Sequence, residues 1–365
     1  MSMRSIDIFR WSLVVWLAGN AAGSSAQTNT GEDETARLLA RLDSLRQVSH
    51  IPGLAVVVLR DTTILAAQGM GYADLERKVP VTPETPFNIA SVAKPISAVV
   101  ALRLVERGVL DLDRPMRSYE GFAEFCADVR QAGGIFFTDL SCDGEALTLR
   151  HVLAMTANGP PGTRFFYNPP VYSWASRPMA QVAGAPFSDL TAKLVFEPAG
   201  MTRSARIHRR LPLRPDLAAD LARPYHIDSS GRTVESPPPG PQGDGAAGGV
   251  VSTALDLARF DIALTQGRLV SAESQKLMWT AGRSPAGQVL PYGLGWFVAQ
   301  PGGEPVVWHT GLWDGAYSAL YLKAPRRGLT LVLLANSDGL RWEGWLDEAA
   351  IERSPFAVAF LELVR

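Results

Sequence analysis

Leucines at positions 38, 39, 42 and 45 recur at helical spacing among charged residues, which predicts a helix over Glu32–Gln47 with one apolar face. The pattern then changes period. Leu54–Leu59 is an apolar, largely β-branched run, Asp61-Thr62 offers a turn, and Ile64–Ala67 returns, which together predict a hairpin. Phe87–Gly108 reads as a loop leading into a helix. Ile96, Val99, Val100, Leu102, Leu104 and Val105 leave that helix little polar face, so it belongs at the centre of the protein, with Gly108 as its stop. Residues 112–240 are less regular, with helical pattern at Leu149–Met155 and Phe187–Phe196. Ser236–Gly245 is rich in Pro and Gly and reads as loop. Ser252 stands where it can cap a helix running through Phe260. Strand-like runs follow at Gly293–Ala299, Val306–Thr310, Ser318–Leu322 and Leu329–Leu334, and Trp342–Val364 is helical in pattern, interrupted by Pro355. Strands thus lie at both ends and helices between them. The simplest architecture is a sheet built from both chain ends with a mainly helical insertion over about 113–240. No repeat and no interdomain linker breaks the chain.

Composition supports a globular protein. Of 365 residues, 47% are hydrophobic and 19% are charged, below the ~25% usual for soluble domains. The net charge is −1 and no Lys/Arg run stands out, which argues against nucleic acid and anionic membrane surfaces as partners. The first residues read as an export signal. Arg4 and Arg10 supply positive charge, Trp11–Leu17 is apolar, and Ser24-Ser25-Ala26 offers a small-residue cleavage site. The apolar run is well short of the ~20 residues that span a bilayer. The expected mature chain is therefore one exported, periplasmic or secreted domain over 27–365. Its sheet part covers about 27–112 and 241–365, and its helical part about 113–240. The two cysteines, Cys126 and Cys142, are spaced to close a modest loop and read equally as a disulfide or as two buried thiols. They cannot make a zinc site without histidines at ligand spacing, so no metal is expected.

Several common catalytic motifs are absent: no GxSxG, no HExxH and no phosphate-binding loop with lysine. Gly243-Asp244-Gly245-Ala246-Ala247-Gly248 has the GxGxxG spacing. It follows PPPGPQ rather than a strand, which fails the context a dinucleotide site needs. Ser91-Val92-Ala93-Lys94 is the sole S-x-x-K, in a chain with only five lysines (Lys78, Lys94, Lys193, Lys276 and Lys323). It opens the buried helix. At i and i+3 the two side chains share a face, and the helix N-terminus adds N–H donors near the Ser oxygen. A Ser hydroxyl needs a neighbour to take its proton. An ordinary Lys, near pKa ~10.4, is charged at neutral pH and cannot serve until burial lowers it. The plain alternative is Ser91 as an N-cap and Lys94 as a solvated first-turn residue. Pro95 tightens the boundary while biasing Lys94 away from helical geometry.

With these residues in hand, the chain resembles the serine β-lactamase and penicillin-binding-protein family, in its class C β-lactamase, DD-peptidase and esterase branch. FNIASVAKPISAVVALRLVERGVLDLD resembles the nucleophile helix and its exit. LTLRHVLAMT, PGTRFFYNPPVY, EPAGMTRSAR, AAGGVVSTALDLARF, HTGLWDGAYSALYL and RRGLTLVLLAN resemble further landmarks, in family order from Ile51 to Asn336. The resemblance implies a β-lactamase/transpeptidase-like fold of α/β (α+β) class, with an antiparallel sheet flanked by helices. It implies Ser91 as acylated nucleophile, Lys94 as its proton partner and Tyr167 as general base, a phenolate held by the Lys94 ammonium. It implies an oxyanion hole from the backbone N–H groups of Ser91 and Leu312, and substrate binding by Asn168, His309, Thr310 and Gly311. No cofactor is implied. The expected partner is a small-molecule or peptide acyl substrate; oligomeric state is not readable. Tyr167 also fits a core aromatic, His309 a plain strand residue, and His151 a structural helix position. The chain departs from the family pattern in three ways. Pro169 replaces the Asn of Y-x-N, His309 replaces Lys of K-T-G, and Thr156–Pro160 is a much shortened connection. The resulting expectation is an exported serine hydrolase acting through an acyl-enzyme on an ester, a D-peptide or a β-lactam. The alternatives are a true class C-like β-lactamase and a non-catalytic penicillin-binding or sensor module.

Overall fold

The Leu54–Leu59 run becomes strand β1 (Gly53–Arg60), buried along all but its last residue. A strand buried on both faces needs layers above and below it and neighbours on each side. In a computed structural model, which describes residues 24–364 apart from 141, 143–145, 241 and 345–348, both are present. Most of the expected export signal, 1–23, lies outside the described residues. β1 pairs antiparallel with β2 (Thr63–Asp74) across the Asp61-Thr62 turn. On its other side it pairs antiparallel with β12 (Leu329–Ala335), Leu54 opposite Ala335. With β3 (Val79–Pro80), β9 (Phe297–Ala299), β10 (Val306–Trp313) and β11 (Tyr317–Ala324), these make a seven-stranded sheet in the order β3-β2-β1-β12-β11-β10-β9. The two ends of the chain therefore join in mid-sheet, as the patterning predicts. A small second sheet places β8 (Val250–Ser252) between β4 (Phe87–Asn88) and β5 (Ala205–Arg206); β6 (Tyr225–Ile227) and β7 (Thr233–Glu235) form a separate hairpin.

Helix α1 (Ser24–Val48) buries Leu38 and Leu42 and packs against the C-terminal helix Pro355–Val364. Helix α2 (Ala93–Glu106) is the central helix; its residues Ala93–Leu102 are all buried, which its lack of a polar face requires. The insertion contributes α3 (Phe122–Ala132), α4 (Leu149–Leu153) and α5 (Pro169–Trp174). It also holds β5 and the β6–β7 hairpin, so it is less purely helical than expected. Helix α3 was not anticipated, although Phe122, Cys126 and Val129 form its buried stripe at helical spacing. Cys126 on α3 is disulfide-bonded to Cys142. No helix among the described residues is long and apolar enough to cross a membrane.

Three expectations are corrected. The helix Ala254–Thr265 is capped by Thr253, whose hydroxyl accepts from the Asp256 N–H at 3.0 Å. Ser252 instead ends β8, and its hydroxyl pairs with that of Ser204 at 2.8 Å. The strand expected over Gly293–Ala299 starts only at Phe297, because Gly295 takes φ +77° against the Lys94 carbonyl and the Tyr172 hydroxyl. In the C-terminal stretch the α-helix begins at Pro355 rather than being interrupted there. A first-turn proline has no N–H partner to lose.

The helix Ala254–Thr265 lies on β1 and β12 and carries Asp261 into the core. Asp261 is fully buried and accepts from Lys323 Nζ at 3.0 Å and from the Thr330 hydroxyl at 3.1 Å. Removing one partner strands the other charge away from water. Asp261→Ala is expected to cost about 3–5 kcal/mol in urea unfolding; a loss under ~1 kcal/mol would show that Lys323 finds another partner or water.

Candidate active site

Ser91 lies in a 3-10 turn, Ala90–Val92, that runs directly into α2. The turn is held in an uncommon backbone state. Ala90 has φ +45°, and its N–H donates to the Asn88 side-chain oxygen at 2.9 Å. A non-glycine residue at positive φ costs energy and persists only where its surroundings enforce it. Pro95 falls in the first turn of α2, where a missing N–H costs nothing, so Lys94 stays helical and the conflict read in the sequence disappears.

Lys94 is fully buried. Its Nζ lies 2.6 Å from Ser91 Oγ and 3.0 Å from the Ala247 carbonyl oxygen. Burial holds its pKa well below the ordinary lysine value. The solvated-lysine alternative is thereby removed. The Tyr167 ring centroid is 5.0 Å from the Lys94 nitrogen, and the ring stacks on Phe297. Burial pushes the Tyr167 phenol up, partly offset by Ser91 beside it, and its hydroxyl has no hydrogen-bond partner among the described residues. The resemblance implies a phenolate beside an ammonium here; burial works against each of these charges taken alone.

Asn168 follows Tyr167 but turns away from Ser91. Its side-chain NH2 donates to the Phe136 carbonyl at 2.7 Å and to Asn158 Oδ1 at 2.8 Å, and its Oδ1 caps α5 by accepting from the Val171 N–H at 3.1 Å. Both amide protons are engaged within the protein, at a position where the resemblance implies a substrate contact. Pro169 starts α5 and lines the groove.

Strand β10 runs along the other side. A Cβ on Gly311 would collide with the Ile89 carbonyl, so only glycine lets the strand approach the nucleophile turn this closely. His309 is fully buried and its pKa is held well below the ordinary value, chiefly by burial. Its Nδ1 faces the Thr310 carbonyl at 2.6 Å and must carry the proton, so Nε2 accepts from the Tyr292 hydroxyl at 2.8 Å. Both nitrogens are engaged within the protein, at a position where the resemblance implies a substrate contact. Thr310 Oγ1 has no hydrogen-bond partner among the described residues. Leu312 lines a groove of about 480 Å³ with Ser91, Pro170, Arg209, Gln242 and Trp313. His151 is structural: its Nδ1 lies 2.9 Å from the Thr148 hydroxyl in the cap of α4.

Sequence reasoning gave no role to the loop Gly243–Gly249. Its Ala247 carbonyl meets Lys94, and its Ala246 carbonyl accepts from Ser97 Oγ at 2.7 Å. Arg206 anchors the loop, with Nε 3.0 Å from Asp244 Oδ1 and Nη2 2.7 Å from the Gly245 carbonyl. The run with GxGxxG spacing therefore wraps an amine, and its small residues, which permit close backbone approach, were the available signal.

The family model described as Beta-lactamase matches residues 39–352. Penicillin-binding protein 4* of Bacillus subtilis (strain 168) is 28% identical over 312 residues, 76% of this chain and 68% of that protein. Penicillin-binding protein 4 of Amycolatopsis lactamdurans is 28% identical over 327 residues, 81% of this chain and 84% of that protein. The solved D-amino acid amidase of Ochrobactrum anthropi SV3 is similar in fold, with TM-score 0.70 at 20% identity over 91% of this chain and all of that one.

A buried neutral amine has a cost in stability. The unfolded chain keeps a proton on Lys94 up to ~10.4, whereas the folded chain releases it at lower pH, so between those values Lys94 favours unfolding. Lys94→Met is expected to raise the urea midpoint near neutral pH, with a gain that shrinks as pH approaches ~10.4. An unchanged or lower midpoint would mean that the amine is not held neutral.

Proposed function

The chain belongs to the beta-lactamase family, and from that premise we propose that it is an exported serine hydrolase that opens an ester or amide through an acyl-enzyme on Ser91. Members of this family are serine hydrolases acting on amide and ester bonds. The observation that carries the reading is the 2.6 Å contact between Ser91 Oγ and a fully buried Lys94. A neutral amine at that distance takes the Ser proton as Oγ attacks the acyl carbon. The carbonyl oxygen becomes an oxyanion, which the Ser91 and Leu312 backbone N–H groups receive. Tyr167 then gives its O–H proton to the departing oxygen or nitrogen and is reprotonated by the Lys94 ammonium. Water next attacks the acyl-enzyme, its proton passing back through the same pair, and the acid product leaves with Ser91 restored. Thr310 Oγ1, unpartnered on β10, is the remaining side-chain contact for substrate.

The finer substrate follows from the departures. Neither His309 nor Asn168 offers a charge or a free amide to a substrate, which favours an ester or simple amide over a dedicated β-lactamase. The intact Ser91–Lys94 contact argues against a decayed sensor. Export is supported by the amino-terminal pattern and by the Cys126–Cys142 disulfide, a bond that persists in oxidising compartments. The mature hydrolase would span 27–365.

Hydrolysis of a short-chain nitrophenyl ester by the mature protein is expected to vanish in Ser91→Ala, with the acyl-enzyme visible by mass in the parent; equal rates in both would refute the reading. Tyr167→Phe is expected to lower kcat by at least ~10²-fold. Since Lys94 must be neutral, the rate should fall only on the acid side, through a pKa well below lysine's ordinary ~10.4.

A further inference from the structure

We propose that the groove beside Ser91 selects acyl groups that end in a second carboxylate, and that Arg209 binds that carboxylate. This rests on the hydrolase reading above and names its substrate class, monoesters and monoamides of dicarboxylic acids. The orientation of a substrate follows from the mechanism. The departing atom takes its proton from Tyr167, whose ring lies 6.1 Å from that of His309. Along β10 the order is His309, Thr310, Gly311, Leu312, Trp313, with the Leu312 N–H at the oxyanion. The leaving group therefore extends toward His309 and Thr310, and the acyl group extends the other way, toward Trp313. The groove of about 480 Å³ lies on that side, since Ser91, Leu312 and Trp313 line it and Tyr167 and Thr310 do not.

The walls sort the acyl group by chemistry. Near the nucleophile they are apolar or backbone: Pro169 and Pro170 at the start of α5, Leu312 and Trp313 on β10, and the Gly243–Gly249 loop. A chain of methylene groups suits such walls, and a single placed polar group then fixes its far end. Arg209 is the one charged side chain lining the groove among the described residues. Its guanidinium keeps its charge at any working pH and presents a fork of donors that matches a carboxylate. The backbone that carries it is fastened to the loop over Lys94. The Arg209 N–H donates to the Gln242 carbonyl at 2.8 Å. Gln242 Oε1 stands 3.6 Å from the point where a Cβ on Gly248 would lie, and the Ala90 carbonyl stands 3.8 Å from the same point. Arg209 is thus held from the residue that overhangs the nucleophile turn.

The surroundings keep the local charge positive. With Gln242 and Gly243, Arg209 also lines a second cavity of about 810 Å³, together with Arg177, Arg210, Asp189 and Asp244. Asp244 is already committed. Its Oδ1 accepts from Arg206 Nε at 3.0 Å and its Oδ2 from the Ser188 N–H at 2.9 Å. Arg177, Arg209 and Arg210 therefore face Asp189 alone. An acyl group ending in an ammonium is repelled here, and one ending in a methyl group gains nothing from Arg209.

The test is hydrolysis by the mature protein of two 4-nitrophenyl esters with acyl chains of equal length, the hexanoate and the monoadipate. Each rate is corrected for that in Ser91→Ala. The expected kcat/KM for the adipate exceeds that for the hexanoate by about 10-fold or more, the scale of a charge-assisted hydrogen bond. In Arg209→Gln, checked for fold by circular dichroism, that ratio is expected to fall to about one. If this variant does not fold, the parent decides by two further measurements. The adipate preference should shrink at high ionic strength, and 3-carboxy-4-nitrophenyl hexanoate, charged on its leaving group, should show no comparable gain. A parent without the preference, a preference that survives Arg209→Gln or high salt, or an equal gain from the charged leaving group would overturn the proposal. Ser91-dependent hydrolysis of the hexanoate without adipate preference defeats this proposal alone. Absence of Ser91-dependent turnover of either ester defeats the hydrolase reading as well.

Discussion

Everything at this site depends on keeping water away from one primary amine. Lys94 has a Ser hydroxyl, a peptide carbonyl and two tyrosine rings around it. None of these supports a full positive charge as well as water does, so the amine's pKa falls well below the ordinary lysine value. The rest of the fold can be understood as the enclosure that makes this possible. A helix without a polar face carries the amine inward, the Gly243–Gly249 loop covers it, and the aromatic layer of Tyr167, Phe297 and Tyr292 closes the remaining side. The histidine on β10 belongs to the same layer. Burial lowers its pKa as it lowers the amine's, and its Nε2 accepts from the Tyr292 hydroxyl.

The enclosure is assembled from distant parts of the chain. Ser91 and Lys94 come from the start of α2, Tyr167 from the insertion, Ala247 from a loop beyond it and Leu312 from a strand near the end. Close approach is possible because the contact points are small. Gly311 and Gly295 each occupy a place where a Cβ would strike a backbone carbonyl of the nucleophile segment. Buried polar groups then lock the parts together. Asp261 with Lys323 fixes a helix to the sheet, and Arg206 with Asp244 fixes the loop over the amine.

Much of this is legible in the sequence, and what is not has a common cause. The unbroken apolar run Leu54–Leu59 and the nearly all-apolar surface of Ile96–Val105 report burial directly, so the central strand and helix follow from them. The Ser91–Lys94 spacing reports a shared helix face. What escapes is whatever is decided by a partner far along the chain. Ser252 and Thr253 are equally able caps, and the choice falls to Thr253 because Ser204 engages Ser252. Asn168 has the chemistry of a substrate ligand, yet the carbonyl of Phe136 claims it. The protonation of Tyr167 and Lys94 depends on burial that neither residue's neighbours in sequence reveal. Helix α3 carries a readable stripe, Phe122, Cys126 and Val129, but it is too short to stand out from an irregular region.

The meeting of the chain's two ends in mid-sheet governs when the protein can acquire its shape. The Gly53 N–H donates to the Asn336 side chain, 283 positions away, and β1 finds its second neighbour only in β12. Pairings of such long sequence separation form slowly, because loop closure must precede any gain from contact. During synthesis β1 emerges early and then waits, with one edge unpaired, until nearly the whole chain has followed. The nascent molecule is therefore obliged to stay open for most of its synthesis, a state exposed to edge-to-edge association until β12 arrives.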